Sequence, residues 1–304
     1  MTIKNLVLSG GSYNGLKTLG ALKYLNDSKF YDIENIENIY ATSVGSIMGV
    51  LLALKLPFEN ILDYAIRKPW NKVFNFTADM LFSMITEKGI IDKSFIIEIF
   101  DILFKTADIS NKTTMLEFYN KSKIKLHFYT TNVKLFETVE LSHTSHPELS
   151  VIDAVYMSCS IPFIFQPIYF KDSYMIDGAV LCNFPLNQCC EQNEDTDSIL
   201  AINLIDGNKK KHTIDKNTNL FKYGHFIFDS LVNYSNQKKR SELEIKYILN
   251  IMCENSNISY GYELLENSEE RKTFINKGIE FAKLFVETHK KNTCEDDETT
   301  LSSM

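Results

Sequence analysis

Short apolar runs alternate with amphipathic segments along the first part of the chain. Residues 4–9 form an apolar run that stops at Gly10-Gly11, which predicts a buried strand, and Gly15 to Leu25 has apolar residues at helical spacing. Ile39 to Thr42 repeats the strand pattern, and Val44 to Leu54 is an apolar helix, too hydrophobic on every side to face water. A strand, a glycine-rich turn and a helix, repeated in this order, predict parallel α/β architecture.

The middle of the chain mixes helices with strands. A helix is predicted over 95–104, and another over 151–157, where Ser150 supplies the cap. The segments rich in β-branched and aromatic residues, which predict strands, are Ile124–Val133, Leu135–Leu141, Gln166–Phe170, Tyr174–Ile176 and Ile199–Ile205. The third and fourth of these predict a hairpin, because only three residues separate them.

The composition changes after residue 206. Residues 208–219 are polar and predict a loop, whereas 220–252 and 269–289 predict long helices. The last residues are acidic and poor in apolar side chains, which predicts disorder. We therefore expect an α/β fold, a three-layer α/β/α sandwich with a mostly parallel central sheet, divided into a main domain at 4–206, a helical C-terminal extension at 207–290 and a disordered acidic tail at 291–304.

Charge and hydropathy argue against a nucleic-acid-binding protein and against a membrane-spanning protein. The net charge is −7 and the pI is about 5.5, which argues against nucleic acid as a partner, because phosphate binding needs a basic face. The most apolar run, Ile47 to Leu54, is far shorter than the ~20 residues of a membrane span. Only nine residues precede Gly10, too few for a secretory signal. We expect an intracellular, cytoplasmic protein.

The segment Ser9 to Gly15 joins the first predicted strand to its helix and is rich in glycine. Glycines at such a junction let backbone N–H groups point at one anion, beside the positive end of the helix. The dinucleotide pattern requires glycine at position 12, where Ser12 stands, and the P-loop requires lysine at position 16, where Leu16 stands. An oxyanion hole needs only small residues and free N–H groups, which this loop supplies. A plain tight turn is the structural alternative.

Ser43 lies between the second predicted strand and its helix, within Ala41-Thr42-Ser43-Val44-Gly45. This is an A-x-S-x-G form of the nucleophile elbow, a strained turn that presents a serine hydroxyl. The turn requires small residues two positions before and after the serine, and Ala41 and Gly45 are small. The helix that follows places its positive end beside the site. Taken alone, Ser43 also fits a simple helix N-cap.

Two further stretches lie between residues 158 and 179. Asp177-Gly178-Ala179 follows an apolar run, and an Asp-Gly pair at that place is commonly a plain turn. The stretch from Ser158 to Pro167 (Ser-Cys-Ser-Ile-Pro-Phe-Ile-Phe-Gln-Pro) carries no obvious chemistry and predicts a packed wall shaped by its prolines. Neither stretch indicates a function by itself.

In this order, the four stretches resemble the patatin-like phospholipases over about residues 4–206. The family motifs match a glycine-rich loop at Gly10, Gly11 and Gly15, an elbow at Ala41 to Gly45, a Ser-Ile-Pro-x-x-Phe-x-Pro stretch at 160–167 and a D-G-[GA] turn at Asp177, Gly178 and Ala179. Four matches in the family's order make coincidence a poor explanation.

Three positions depart from the family pattern. Ser12 replaces a third glycine, Asn14 stands where the family often has Arg or Lys, and Ala41 replaces the first glycine of the elbow. Ser12 and Ala41 keep the position small, so backbone function is expected to survive. Asn14 removes a basic contact to lipid phosphate and therefore bears on the substrate.

The resemblance implies a metal-independent serine hydrolase without a cofactor, which cleaves lipid acyl esters as a phospholipase A or lysophospholipase. Ser43 is then the nucleophile, Asp177 the general base of a two-residue dyad, and N–H groups near Gly10, Gly11 and Ser12 the oxyanion hole. Burial beside Ser43 is expected to raise the pKa of Asp177. None of the six histidines lies in a matching motif. The remaining motif positions support the backbone: Gly15, Ala41, Gly45, Gly178 and Ala179.

A lipid substrate also implies transient, peripheral contact with a membrane surface. Two alternatives to the hydrolase stay open. The departures at Ser12, Asn14 and Ala41 favour a patatin-like protein that binds lipid without cutting it. A nucleotide-binding α/β protein would use the loop at 10–15, but it leaves the elbow and Asp177 unexplained.

Overall fold

The computed structural model describes residues 2–73, 85–207, 214–218, 220–238, 245–253 and 258–301. The strands are β1 (Asn5–Leu8), β2 (Asn38–Thr42), β3 (Lys125–Asn132), β4 (Glu137–Leu141), β5 (Ile168–Phe170), β6 (Ser173–Asp177), β7 (Ile199–Asp206) and β8 (Tyr247–Cys253). The helices are α1 (Gly15–Asp27), α2 (Val44–Ala53), α3 (Phe58–Arg67), α4 (Trp70–Val73), α5 (Ser94–Thr106), α6 (Met115–Ser122), α7 (Val151–Ser158), α8 (Ala179–Cys182), α9 (Leu186–Gln192), α10 (Leu220–Lys238), α11 (Ile258–Glu266) and α12 (Ser268–Leu301). The predicted loop at 208–219 lies largely outside the described residues.

The eight strands form one mixed sheet in the order β5-β6-β3-β2-β1-β7-β8, with β4 also paired to β3. The strands from β3 to β8 in this order are parallel, and the pairings of β3 with β4 and β6, and of β5 with β6, are antiparallel. The predicted hairpin is β5–β6. Because β1 and β2 lie side by side and parallel, the segments that follow both strands meet at the same edge of the sheet.

Helices cover both faces of the sheet. Alternate residues of β1 point to opposite sides, so Leu6 and Leu8 join the large core beneath α1, α2, α5, α7 and α12, while Val7 joins a second core beneath α8 and α9. All four residues of β1 and all five of β2 are buried, as expected for central parallel strands. The three-layer α/β/α sandwich predicted from the sequence is confirmed.

The predicted helix over 220–252 is wrong at residues 247–252, which form a strand. α10 ends at Lys238, and β8 extends the sheet by pairing in parallel with β7. Along β8, Leu249 and Ile251 are buried whereas Asn250 and Met252 are exposed, which is the period of two expected of an edge strand. The apolar residues of this short run also fit helical spacing, but the free edge of β7 offers them backbone partners along one side of the strand.

The last helix extends further than the sequence predicts. α12 continues to Leu301, whereas the acidic composition predicts disorder from residue 291 onward. Extending an existing helix adds one hydrogen bond per residue and needs no second nucleation, so polar residues can continue it. Among the helices of the described ranges, none has the length and apolarity needed to cross a membrane.

Two glycines bring α12 against α1. A Cβ atom on Gly20 would lie 2.0 Å from the Ile275 carbonyl oxygen, and one on Gly278 would lie 1.9 Å from the Lys17 carbonyl oxygen. These distances are too short for any side chain, so the two helix backbones touch. Helix α12 thereby covers α1 and joins the main core.

Candidate active site

Ser43 occupies the sharp turn between β2 and α2. Its backbone has φ 54° and ψ −129°, a strained conformation for a residue with a side chain. The turn is tightly packed: a Cβ atom on Gly45 would lie 2.4 Å from the Leu8 carbonyl oxygen, and Ala41 is fully buried. The small residues that the sequence places two positions either side of Ser43 are therefore required by contact with β1 and the core. Ser43 makes no side-chain cap to α2, so the simple N-cap interpretation does not hold.

Asp177 is the last residue of β6 and lies next to Ser43, although 134 positions separate the two in the chain. The Ser43 hydroxyl donates to Asp177 Oδ2 at 2.7 Å, and the Ala179 N–H donates to Asp177 Oδ1 at 2.8 Å. A Cβ atom on Gly178 would lie 2.2 Å from the Tyr129 carbonyl oxygen, so only glycine allows the turn to approach β3 this closely. Both carboxylate oxygens are thus engaged, and the carboxylate is fixed toward the serine.

The surroundings of Asp177 favour its neutral form. The residue is only 1% exposed. Burial raises the pKa of Asp177 to about 7, while the hydrogen bonds from Ala179 N–H and the Ser43 hydroxyl oppose this rise. A carboxyl group with this pKa is close to half ionised at neutral pH, where it can both accept and return a proton.

The glycine-rich loop lies beside Ser43. The Gly10 N–H donates to the Asn183 carbonyl oxygen at 3.0 Å, so it is already occupied. No residue of the described ranges accepts a hydrogen bond from the N–H of Gly11 or Ser12. Of the three backbone donors predicted from the sequence, one is therefore engaged, and the other two have no acceptor among the described residues.

Ser12, which replaces a glycine of the family pattern, keeps the backbone conformation of a glycine. Ser12 has φ 53°, in the left-handed region that glycine adopts without strain. The backbone therefore keeps a conformation suited to glycine, at a cost of about 1 kcal/mol for a residue with a side chain. Gly15 allows the next helix to approach: a Cβ atom there would lie 2.2 Å from Val44 Cγ2. The N-termini of α1 and α2 meet in this way next to Ser43, and both favour negative charge.

Two residues that support the site carry no recognisable local signal in the sequence. The Ser158 hydroxyl accepts the Ser43 N–H at 2.9 Å and donates to the Tyr129 carbonyl at 2.7 Å, which anchors the elbow to β3. Asn183 holds Gly10 through its carbonyl group, and its Oδ1 atom would lie 2.5 Å from a Cβ atom on Gly10. Asn183 is six residues beyond Asp177, so one short segment supplies the carboxylate and fixes the glycine loop.

Other groups of the site are poor candidates for the chemistry. Burial raises the pKa of the Cys159 thiol far above its ordinary value, so the thiol near Ser46 stays protonated. Among the described side chains, no histidine bonds to Ser43 or Asp177, and His127 instead pairs with Glu140 at 2.9 Å. Within the described ranges, no group of three His, Cys, Asp or Glu side chains is placed to hold a metal ion.

Two viral proteins are similar in sequence to this chain. Protein R571 of Acanthamoeba polyphaga mimivirus is 31% identical over 222 residues, which cover 68% of this chain and 67% of that protein. A protein of Invertebrate iridescent virus 6, named "Probable lipid hydrolase 463L", is 25% identical over 284 residues, which cover 92% of this chain and 88% of that protein.

The structure of VipD from Legionella pneumophila resembles this chain in fold. The TM-score is 0.54 at 18% sequence identity, and the superposition covers 95% of this chain and 67% of VipD. The sequence profile of one family, described as "Patatin-like phospholipase", matches residues 6–189, which include the glycine-rich loop, Ser43 and Asp177. By this match and the similarity to its viral relatives, the chain belongs to the patatin-like phospholipase family.

Proposed function

We propose that this chain is a lipid acyl hydrolase that uses Ser43 as its nucleophile and Asp177 as its base. The observation that carries the proposal is the buried hydrogen bond of 2.7 Å from the Ser43 hydroxyl to Asp177 Oδ2. A serine hydroxyl is a weak nucleophile until a neighbouring base takes its proton. Asp177 is in contact with that proton and has a pKa near neutrality, so it is suited to this role.

The first half of the reaction transfers the acyl group to the enzyme. Ser43 Oγ attacks the ester carbonyl carbon while its proton passes to Asp177 Oδ2. The carbonyl oxygen becomes negatively charged and accepts hydrogen bonds from the N–H groups of Gly11 and Ser12. The tetrahedral intermediate then collapses, and the departing alcohol takes the proton from Asp177. Gly10 contributes by holding the loop, since its own N–H is bonded to Asn183.

The second half releases the acyl group. A water molecule attacks the acyl carbonyl and gives its proton to Asp177, and the same two N–H groups stabilise the negative oxygen. Ser43 leaves with the proton of Asp177, which restores the starting state and frees a fatty acid. Losing one backbone donor of this kind typically lowers kcat about 10²–10³-fold. The chemistry needs no metal, because the N–H groups stabilise the oxyanion.

Family membership and the name of the iridescent virus relative support a lipid ester as the substrate. We propose carboxylic esters of glycerolipids, cleaved in the manner of a phospholipase A or lysophospholipase. A patatin-like protein that binds lipid without cutting it is the competing function. Ser12, strained in a conformation suited to glycine, is the observation in its favour.

The test combines turnover with covalent labelling. Hydrolysis of a short-chain p-nitrophenyl ester and of a fluorescent phospholipid is measured in EDTA, and a fluorophosphonate probe is located by peptide mass spectrometry. We expect turnover in EDTA and a label on Ser43 that is absent from Ser43→Ala and present in Ser230→Ala, an exposed serine control. A folded wild-type protein that neither turns over nor labels would favour the non-catalytic function.

The pH dependence of the same reaction follows from the pKa of Asp177. The base must be ionised to accept the serine proton, so kcat/KM for a water-soluble ester is expected to be half-maximal near pH 7 and to level off at about pH 8. Below about pH 7 it should fall about tenfold per pH unit with a single ionisation. Circular dichroism at each pH controls for unfolding. A profile that stays flat down to pH 5 would show that the base titrates like an ordinary aspartate.

A further inference from the structure

Helix α10 carries large apolar side chains on its solvent-facing side. These residues, which we call the α10 stripe, are Leu220, Tyr223, Ile227, Leu231 and Tyr234, and they are between 39% and 63% exposed. Their spacing of three or four residues places all five within an arc of roughly 80° on the helix. Such a face is normally buried against another element of the protein. Here it lies at the surface, which indicates a surface for an outside partner.

A neighbouring side of α10 rests on the turn that follows Asp177. Phe228 packs against Ala179 and Val180, the first residues of α8. The Ser235 hydroxyl donates to the Leu181 carbonyl at 3.2 Å. The helix is therefore fixed directly beside the candidate active site, with the α10 stripe turned outward.

The charge of this part of the chain differs from that of the rest. The connection between β7 and β8, residues 207–246, contains nine Lys and Arg and four Asp and Glu. The whole chain contains 32 Lys and Arg and 39 Asp and Glu, so it is acidic overall. A helix with an apolar face, tyrosines on that face and basic residues in and around it has the features of helices that lie on anionic membranes.

We propose that the α10 stripe docks on an anionic phospholipid surface. The apolar side chains enter the boundary between headgroups and acyl chains, and the basic residues of the connection are attracted to the lipid charge. This inference rests on the proposed lipid hydrolase function, because docking here brings the turn that carries Asp177 to the lipid surface that holds the substrate. It assigns the peripheral membrane contact to one face of one helix.

The test measures binding of the Ser43→Ala protein to vesicles by sedimentation. The stripe variant, Ile227→Gln/Leu231→Gln, removes apolar side chains without changing charge. The control variant, Ser230→Gln/Asn233→Gln, places the same side chains at exposed polar positions of the same helix. Circular dichroism verifies that each protein is folded.

We expect the parent to sediment with phosphatidylcholine vesicles that contain phosphatidylserine, and less with phosphatidylcholine alone or at high salt. The stripe variant should lose at least about tenfold in its partition coefficient, and the control should stay within about twofold of the parent. A parent that does not sediment, equal binding by the stripe and control variants, or equal binding to both vesicle types would overturn the proposal. So would a dimeric parent that becomes monomeric in the stripe variant, because the partner would then be a second copy. Since no protein in this experiment has Ser43, failure of ester hydrolysis in the wild type leaves the result intact.

Discussion

Replacing Asp177 with asparagine is expected to abolish most hydrolysis and to make the protein more stable above pH 7. An asparagine side chain keeps the acceptor for the Ala179 N–H, but it presents an N–H₂ group to Ser43 where the carboxylate presents Oδ2. The hydroxyl then has no base to take its proton. We expect kcat/KM to fall about 10³-fold or more, which corresponds to about 4 kcal/mol in the activation barrier.

The gain in stability follows from the raised pKa of the same carboxyl group. In the unfolded chain Asp177 ionises near its ordinary pKa of 3.8, whereas in the folded protein it holds its proton up to about pH 7. Unfolding therefore releases a proton, and the wild type loses stability relative to the variant as pH rises from about 4 to 7. Above pH 7 the difference is constant, with an upper limit of about 4 kcal/mol.

Chemical denaturation of the two proteins between pH 4 and pH 9 measures this difference. The control is Asp172→Asn, the same substitution at an exposed position of the turn before β6, which should change neither activity nor stability. Retention of more than a tenth of the wild-type activity by Asp177→Asn would remove Asp177 from the role of base. A variant less stable than wild type at pH 8 would show that the site stabilises the ionised carboxylate.

Replacing Gly278 with alanine is expected to lower the free energy of unfolding by about 3 kcal/mol or more, by overpacking two touching backbones. Alanine is the better helix former by about 1 kcal/mol, so helix propensity alone predicts a stabilised protein. The steric contact decides that the free energy of unfolding falls, because the added Cβ would lie 1.9 Å from the Lys17 carbonyl oxygen. The main chains of α1 and α12 must separate to admit it, and neither can move without disturbing the core.

Thermal and chemical unfolding measure this loss, which should lower Tm by about 5 °C or more in a chain of 304 residues. The matched control is Gly261→Ala in α11, where the added Cβ would make an ordinary contact of 3.4 Å with the Tyr13 ring. There the helix propensity should prevail, and Tm should stay equal or rise. Equal behaviour of the two variants would show that α1 and α12 can move apart without loss.

The sequence predicts those helices and strands whose hydrophobic pattern fits only one type of secondary structure. β1, β2 and α2 are largely apolar and are separated by glycine or serine turns, so their type and order could be inferred from the residues alone. β8 could not, because its short apolar run fits a helix equally well until β7 provides an open edge. The end of α12 was also missed. A polar, acidic composition indicates that a segment cannot pack in the core, but it does not show that an existing helix can be extended at low cost.

In the active site, too, some residues could be predicted from the sequence and others could not. Ser43 could be predicted locally, because its turn requires small residues on either side. Asp177 could be predicted only from its position in the ordered set of family motifs. The roles of Ser158 and Asn183 depend on where three separate turns meet, which no local pattern encodes. The occupied Gly10 N–H is a further example, because it becomes visible only once its acceptor is known. The nucleophilic and basic roles of the dyad stay predictions until the variants are measured.

The contact between α1 and α12 also sets the order in which the protein can assemble during synthesis. Helix α1 leaves the ribosome before α12, and the surface on which Gly20 and Lys17 meet Ile275 and Gly278 is completed only after α12 has been made. Until then α1 lacks the backbone that packs against it, and the apolar core beside it stays open. From the synthesis of Ala179 to that of Gly278, the nascent chain therefore carries the complete set of motif residues without a closed fold around them, and this is the period in which chaperones have the most exposed surface to bind.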